Sequence, residues 1–259
     1  MKKIGVKQGQ VYLIGAGPGH LDLLTLGAVR TIGLADVILL DDLVNSEILQ
    51  FARADVPVIH VGKRGGCRST PQAFIHKKMI ALARAGKTIA RIKGGDPFMF
   101  GRGGEELLAL QQAGIEVSII SGITSGMAVP ASLNIPLTHR NYTHGVTFIT
   151  GHTQDEKEPD WRALAATGTT LVIYMGMGNL ARITQQLMQH GLPATTPAAA
   201  IQHGTLPQQR QLVTTLEQLA GLVAALDFSS PAIVVIGKVV KFAEMAGQMR
   251  EQIIQQQAA

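Results

Sequence analysis

Apolar and polar positions follow two alternating rhythms along the chain, and the switches between them mark its elements. Short apolar, β-rich runs occur at VYLIGAG (11–17), VILLD (37–41), VPVIHVG (56–62), TIARIKG (88–94) and VSIIS (117–121). Between them lie stretches of helical period: an amphipathic stretch from Leu21, a helix capped by Ser69 or Thr70 and ended by Gly86, and a helix over 103–113. Pro71 belongs in the first turn, whose amides lack partners anyway, and Gly86 tolerates the left-handed backbone that terminates a helix. Strands separated by helices require crossover connections, so this half reads as an α/β sheet with parallel content.

After Pro136-Leu137-Thr138 the rhythm restarts with GVTFITGH (145–152), and TQDEKEPDW (153–161) reads as an exposed loop. TLVIYMG (170–176), a helix over 179–190, PAAAIQHG (197–204), RQLVT (210–214), a helix over 216–226 and PAIVVIGKVV (231–240) follow. Some of these strands succeed each other directly, which predicts a mixed sheet. The expected fold class is therefore α/β, with an N-terminal α/β domain over 1–138 and a C-terminal α/β domain over 139–259 that ends in a frayed helical tail, REQIIQQQAA.

Composition narrows the class. The 259 residues exceed the ~100–200 typical of one domain. No apolar run approaches the ~18 residues of a membrane span. The single cysteine, Cys67, excludes an internal disulfide, and MKKIGVKQGQ lacks the apolar core of a signal peptide; both fit a reducing cytoplasm.

The net charge is +5, and its distribution says more than its total. Residues 60–102 carry ten Lys or Arg against one acid, Asp96, a local attractor for anions. Lys77, Lys78 and Arg84 read as the solvated face of the predicted helix, whereas Lys63, Arg64, Arg68 and Arg102 flank glycine turns and read as ligand-facing. Aromatic residues make up only 4% and do not alternate with these charges, so the stacking platform of a nucleic-acid binder is missing. A small polyanion fits better. No cluster has metal-ligand spacing, so no metal is expected.

Two glycine stretches compete for a nucleotide. Gly15-Ala16-Gly17-Pro18-Gly19-His20 departs from the dinucleotide fingerprint, because histidine stands at its third glycine and Pro18 removes an amide donor. Asp41 or Asp42, after the second strand, stands where an acid would hold a ribose, which keeps an NAD-binding oxidoreductase open. RIKGGDPFMFGRGGEE (91–106) ends a strand in two glycines that let a ligand approach the main chain. A tight turn capped by Asp96 is the structural alternative.

Taken together, GAGPG, DDLV, VGKRGG, GGDPFMFGRGGEE, GITSGMAVPASLNIPLTHR and YMG resemble, in order and spacing, the tetrapyrrole methylases over residues 11–240. The resemblance implies two α/β domains with a ligand cleft between them and S-adenosylmethionine (SAM) as methyl donor. It carries SAM contacts onto Pro18, Gly94, Gly95, Asp96, Met99, Thr124, Ser125, Met175 and Gly204. It implies a proton acceptor at Asp41 and a proton donor at Lys63. His20 stands where an acid is common after GAGPG, and Leu40 where a tyrosine often precedes the aspartate.

The implied reaction is C-methylation of uroporphyrinogen III at carbons 2 and 7, through precorrin-1 to precorrin-2, by a cytoplasmic homodimer. A methylase of a later precorrin, the NAD-binding oxidoreductase and a non-catalytic polyanion-binding module are the alternatives. The eight carboxylates of the substrate give a reason for Arg64, Arg68 and Arg102, since a guanidinium grips carboxylate through a bidentate fork. His139, Arg140 and His144 are further candidates for that surface. Bifunctional members of the family carry a dehydrogenase and chelatase module before the methylase; with GAGPG at Gly15, none is expected here.

Overall fold

The computed structural model describes residues 9–62, 71–152 and 158–243. Lys63, Arg64, Cys67, Arg68, Ser69, Thr70, most of the expected 153–161 loop and the 250–259 tail lie outside the described residues. The chain divides into two compact units, Met1–Ser125 and Gly126–Ala259. That division falls upstream of residues 138–145, where the sequence rhythm restarts.

The first unit contains β1 (Gln10–Gly15), α1 (Leu26–Ile32), β2 (Val37–Leu40), β3 (Val58–His60), α2 (Gln72–Arg84), β4 (Ile89–Lys93), α3 (Gly103–Gln112) and β5 (Glu116–Ile120). Its sheet has the order β3-β2-β4-β1-β5 with every neighbouring pair parallel. Alternate side chains serve opposite faces. Val11, Leu13, Val37, Leu39 and Ile89 pack with Ile75 and Met79 of α2 and Leu110 of α3. Ile14, Ile38, Leu40, Ala90 and Ile92 pack with Ala28 and Ile32 of α1. With both faces covered, the strands need apolar residues at every position, which is why they read as unbroken runs.

The amphipathic stretch from Leu21 is two elements, because two caps compete for it. His20 Nδ1 accepts the Asp22 amide to start a 3-10 turn, Leu21–Leu23, and Thr25 Oγ1 accepts the Ala28 amide to start α1. Pro71 occupies the N-cap of α2, not its first turn, and supplies no side-chain cap. Gly86, at φ +79°, ends that helix in the left-handed region as expected.

The second sheet joins β6 (Val146–Thr150), β7 (Thr170–Tyr174), β8 (Pro197–Gln202), β9 (Arg210–Thr215) and β10 (Ala232–Ile236) in the order β6-β7-β10-β8-β9. Only β6 and β7 run parallel; the other neighbours are antiparallel, giving the mixed sheet that consecutive strands demand. Leu171, Ile173, Ala198, Ala200, Val234 and Ile236 form one core with α6 (Leu180–Gln189) and α7 (Leu216–Ala225). Two helices were not expected. One, α4 (Ser125–Ala131), carries Gly126 and Pro130 within it, and α5 (Trp161–Ala166) is only six residues long. Both are too short or too interrupted for helical periodicity to register.

Candidate functional site

The loops that leave β1, β4 and β5 meet at the carboxyl edge of the first sheet, where open parallel sheets place their ligands. Gly17 and Gly95 join two of them by reciprocal backbone bonds, Gly17 N to Gly95 O at 3.1 Å and Gly95 N to Gly17 O at 2.7 Å. Gly15 packs against the third: a methyl group there would lie 2.5 Å from Gly122 N and 2.6 Å from Gly95 O. GAGPG is thus a backbone-packing device that supports the GGD turn. A dinucleotide cradle is not built from it. The loop leads into a single 3-10 turn, and α1 starts only at Leu26, so no α-helix presents its first amides to a pyrophosphate.

Gly95 lies at φ +66°, and a methyl group on it would meet Ser125 Oγ at 3.6 Å and Thr124 Cα at 3.8 Å. Gly94 faces Leu43 of the loop after β2 at ordinary contact distance, 3.4 Å from a notional Cβ. Asp96 holds the turn: its Oδ1 accepts the Phe98 amide at 2.8 Å and its Oδ2 the Gly122 amide at 3.1 Å. Gly94, Gly95, Asp96, Thr124 and Ser125 therefore come together, with Pro18 following the bridged Gly17 and Met99 half-buried beyond Asp96. Phe100 and Arg102 both take left-handed backbone, at φ 54° and 58°, and such conformations in residues other than glycine concentrate at functional sites.

Asp41 stands directly after β2 at the same edge, its side chain 34% exposed. Its Oδ1 accepts the Asp42 amide at 3.0 Å and its Oδ2 pairs with Arg91 Nη2 at 3.2 Å. Arg91 continues to Glu106 Oε1 at 3.1 Å, and Lys93 Nζ and Gln72 Nε2 reach the same oxygen at 3.2 and 2.9 Å. Arg91, Lys93 and Glu106 are all buried. Burial, then the neighbouring Arg91 charge, holds the Lys93 ammonium below its ordinary pKa, while Glu106 and Asp41 oppose the shift.

This network corrects the charge reading of the sequence. Arg91 and Lys93 are not part of an outward anion attractor, since period-two alternation from Ile89 turns both towards α2 and α3, where Glu106 meets them. Arg102 is exposed but engaged: its Nε and Nη2 bind the two Glu105 oxygens at 2.9 and 2.7 Å. The hydrogen bond to Glu105 is the largest influence raising the Arg102 pKa, and the same bond lowers that of Glu105. The fork assigned to substrate carboxylates is thus filled by a carboxylate of the chain itself.

In the second unit, Met175 follows β7 at φ 52° with about half its surface exposed (49%). Gly204 follows β8 and is packed so closely on Val129 of α4 that a side chain there would overlap it. Both β7 and β8 run antiparallel to β10, so Met175 and Gly204 lie at one edge of that sheet. The Tyr174 hydroxyl accepts the Gly126 amide at 2.7 Å and anchors the start of α4. His139 stacks with Tyr142 and Phe242 at centroid distances of 4.9 and 5.0 Å, which gives it a packing role. Among the described residues, no group of three or more His, Cys, Asp or Glu is placed to hold a metal ion.

The sequence profile of the tetrapyrrole (corrin/porphyrin) methylases matches residues 10–220. A uroporphyrinogen-III C-methyltransferase of Pseudomonas fluorescens is 49% identical over 230 residues, covering 89% of this chain and 93% of that protein. Siroheme synthase 2 of Aeromonas hydrophila is also 49% identical, over 91% of this chain and 50% of its own length. Of solved structures, the uroporphyrin-III C-methyl transferase of Thermus thermophilus complexed with S-adenyl homocysteine matches with a TM-score of 0.78 at 36% identity, over 90% of this chain and 99% of that one.

Proposed function

Because the chain belongs to the tetrapyrrole (corrin/porphyrin) methylase family, we propose that it methylates uroporphyrinogen III at carbons 2 and 7, giving precorrin-2 by way of precorrin-1 with SAM as donor. The observation that carries this is the 49% identity, over 93% of its length, to a uroporphyrinogen-III C-methyltransferase.

The residues fit the donor. Gly94, facing Leu43, and Gly95, beside Thr124 and Ser125, leave main chain bare of side chains at the carboxyl edge, and Met175 presents an exposed thioether on left-handed backbone. On this reading Pro18, Gly94, Gly95, Asp96, Met99, Thr124, Ser125, Met175 and Gly204 receive the nucleotide and its methionine. Asp96 contributes by holding the turn's shape, since its two oxygens are already occupied by the Phe98 and Gly122 amides. SAM supplies a methyl group activated by a sulfonium centre. The protein's task is to align a nucleophilic pyrrole carbon with it and to exclude water.

Attack leaves a cationic macrocycle that must lose a proton from the methylated framework. Asp41 is the acceptor on this reading, partly exposed and ionically held by Arg91. Lys63 is the proposed donor, and Arg64, Arg68 and Arg102 the grip on substrate carboxylates; Arg102 engages them by exchanging its Glu105 partner. A homodimer completes this reading. No helix of the described residues is long and apolar enough to cross a membrane; the cytoplasmic placement rests on cysteine usage.

The test is an anaerobic incubation with uroporphyrinogen III and methyl-labelled SAM. Two labelled methyl groups per macrocycle are expected. Absence of transfer to uroporphyrinogen III, with transfer to a precorrin, would replace the substrate assignment.

A further inference from the structure

Arg91 makes three contacts in three directions: Nε to Glu106 Oε1 at 3.1 Å, Nη1 to the Ile92 carbonyl at 3.3 Å and Nη2 to Asp41 Oδ2 at 3.2 Å. Its side chain is 2% exposed and that of Glu106 is 0% exposed. Burying a guanidinium is costly unless its charge and its donors are matched. Glu106 alone does not match it, because Lys93 and Gln72 share the same Oε1, while Oε2 is buried and takes no hydrogen bond from the described residues. Two buried cations thus face one buried carboxylate, and Asp41 supplies the second negative charge at the solvent-facing end.

We infer that Arg91 is a positioning residue for methyl transfer: anchored on Glu106, it aims the Asp41 carboxylate. The inference rests on the reading of Asp41 as proton acceptor. Geometry restricts the carboxylate on both sides, since the Asp42 amide holds Oδ1 and Arg91 holds Oδ2. When Asp41 takes the proton from the macrocycle, the C–H electron pair returns to the ring, and this transfer needs a carboxylate oxygen held in line with that bond.

The groups facing this carboxylate are Asp42 beside it, Arg91 and Lys93 from β4, and Glu106 behind them on α3; Glu105 of α3 and His76 of α2 interact with one another further out.

The experiment measures single-turnover methyl transfer from labelled SAM, with SAM affinity by calorimetry, for wild type, Arg91→Met, Arg91→Lys, Asp41→Asn and the two Arg91 variants each combined with Asp41→Asn. Expected for Arg91→Met are SAM affinity within about twofold and a rate at least about tenfold lower. Arg91→Lys should fall between, because an ammonium does not span Asp41 and Glu106 as a fork does. In the Asp41→Asn background Arg91→Met should cost little more, as expected of residues acting as one unit. A folded Arg91→Met enzyme that keeps the wild-type rate, or whose rate loss is undiminished in the Asp41→Asn background, overturns the inference; if that variant does not fold, the same result in Arg91→Lys does so. A fully active Asp41→Asn enzyme overturns the underlying acceptor reading instead, and the two failures are distinct.

Discussion

Gly17 and Gly95 exchange both of their backbone hydrogen bonds across two loops that lie far apart in sequence. Each end of this bridge needs a left-handed residue, at φ +69° and +66°, which glycine alone adopts without strain. The loop nearest the N-terminus therefore shapes the turn after β4, and damage to either is felt at both.

Glycines at this edge should separate by what surrounds them. Gly15→Ala places a methyl group against backbone of both other loops and should cost about 1–3 kcal/mol, the range of an overpacked core. Gly94→Ala has only ordinary contacts with Leu43, so the fold should persist while SAM affinity falls about tenfold, ~1.4 kcal/mol. Gly33→Ala, with no atom closer than 3.5 Å, is the control. Thermal melts and calorimetry on the three variants check this, and unchanged SAM affinity in Gly94→Ala would remove the turn from the donor site.

Asp96 is expected to act through shape. Asp96→Ala frees the Phe98 and Gly122 amides and should cost about 1.5–3 kcal/mol, the scale of a hydrogen bond to a charged group. Asp96→Asn keeps one acceptor oxygen and should lose less. Denaturant midpoints with and without SAM give the ordering; an Asp96→Ala protein as stable as wild type contradicts it.

Asp41→Asn should leave SAM affinity intact while methyl transfer drops by about 10²-fold or more, the usual effect of losing a general base. Were Asp41 only a wall of the site, the asparagine variant would be nearly as active as wild type and Asp41→Ala worse. Dissociation constants set beside single-turnover rates distinguish these outcomes.

Neutralising Arg64, Arg68 and Arg102 together should raise the Michaelis constant for uroporphyrinogen III and spare SAM binding. Because Arg102 is already bound by Glu105, Glu105→Gln should have the opposite effect and lower that constant by freeing the fork. A Glu105→Gln variant with a raised constant would show the pair acting as a unit.

Lys93 predicts an alkaline signature in stability. Its folded pKa is lowered, first by burial and then by Arg91, so between that value and its ordinary one the unfolded chain binds more protons and stability rises with pH. Below the folded value Lys93 is charged in both states and the slope vanishes. Urea unfolding from pH 7 to 10 should therefore show wild type gaining on Lys93→Met as pH rises; a flat difference would contradict the burial of a charged ammonium.

The strands were legible because both faces of the first sheet are covered, so residues such as Ile38 and Leu39 had to be apolar regardless of direction. Glycine order and spacing pointed to the carboxyl edge because the edge itself demands them: no side chain fits at Gly15, and Gly95 takes left-handed backbone. The buried ion network was not legible from charge counting. Its signal was the alternation of Ile89, Arg91 and Lys93, which sets two cations on an apolar face, together with an acid at Glu106 just beyond the basic stretch. Helix α4 was hidden because Tyr174 and Val129, rather than local periodicity, specify Gly126 and Gly204. The Arg102 pair lay three residues apart in plain view, but only coordinates show both nitrogens committed.

The place of β1 between β4 and β5 bears on how the protein is made. Residues 10–15 leave the ribosome ahead of both their neighbours, which do not exist until residues 89–93 and 116–120 have followed. At ~5–20 residues per second that is a wait of roughly 5–20 s. Val11, Leu13 and Ile14 spend it without a sheet to enter, as substrates for chaperones. The Gly17–Gly95 bridge consequently waits on the turn after β4, so a chain stalled before residue 95 leaves Gly17 without the partner for both of its backbone bonds.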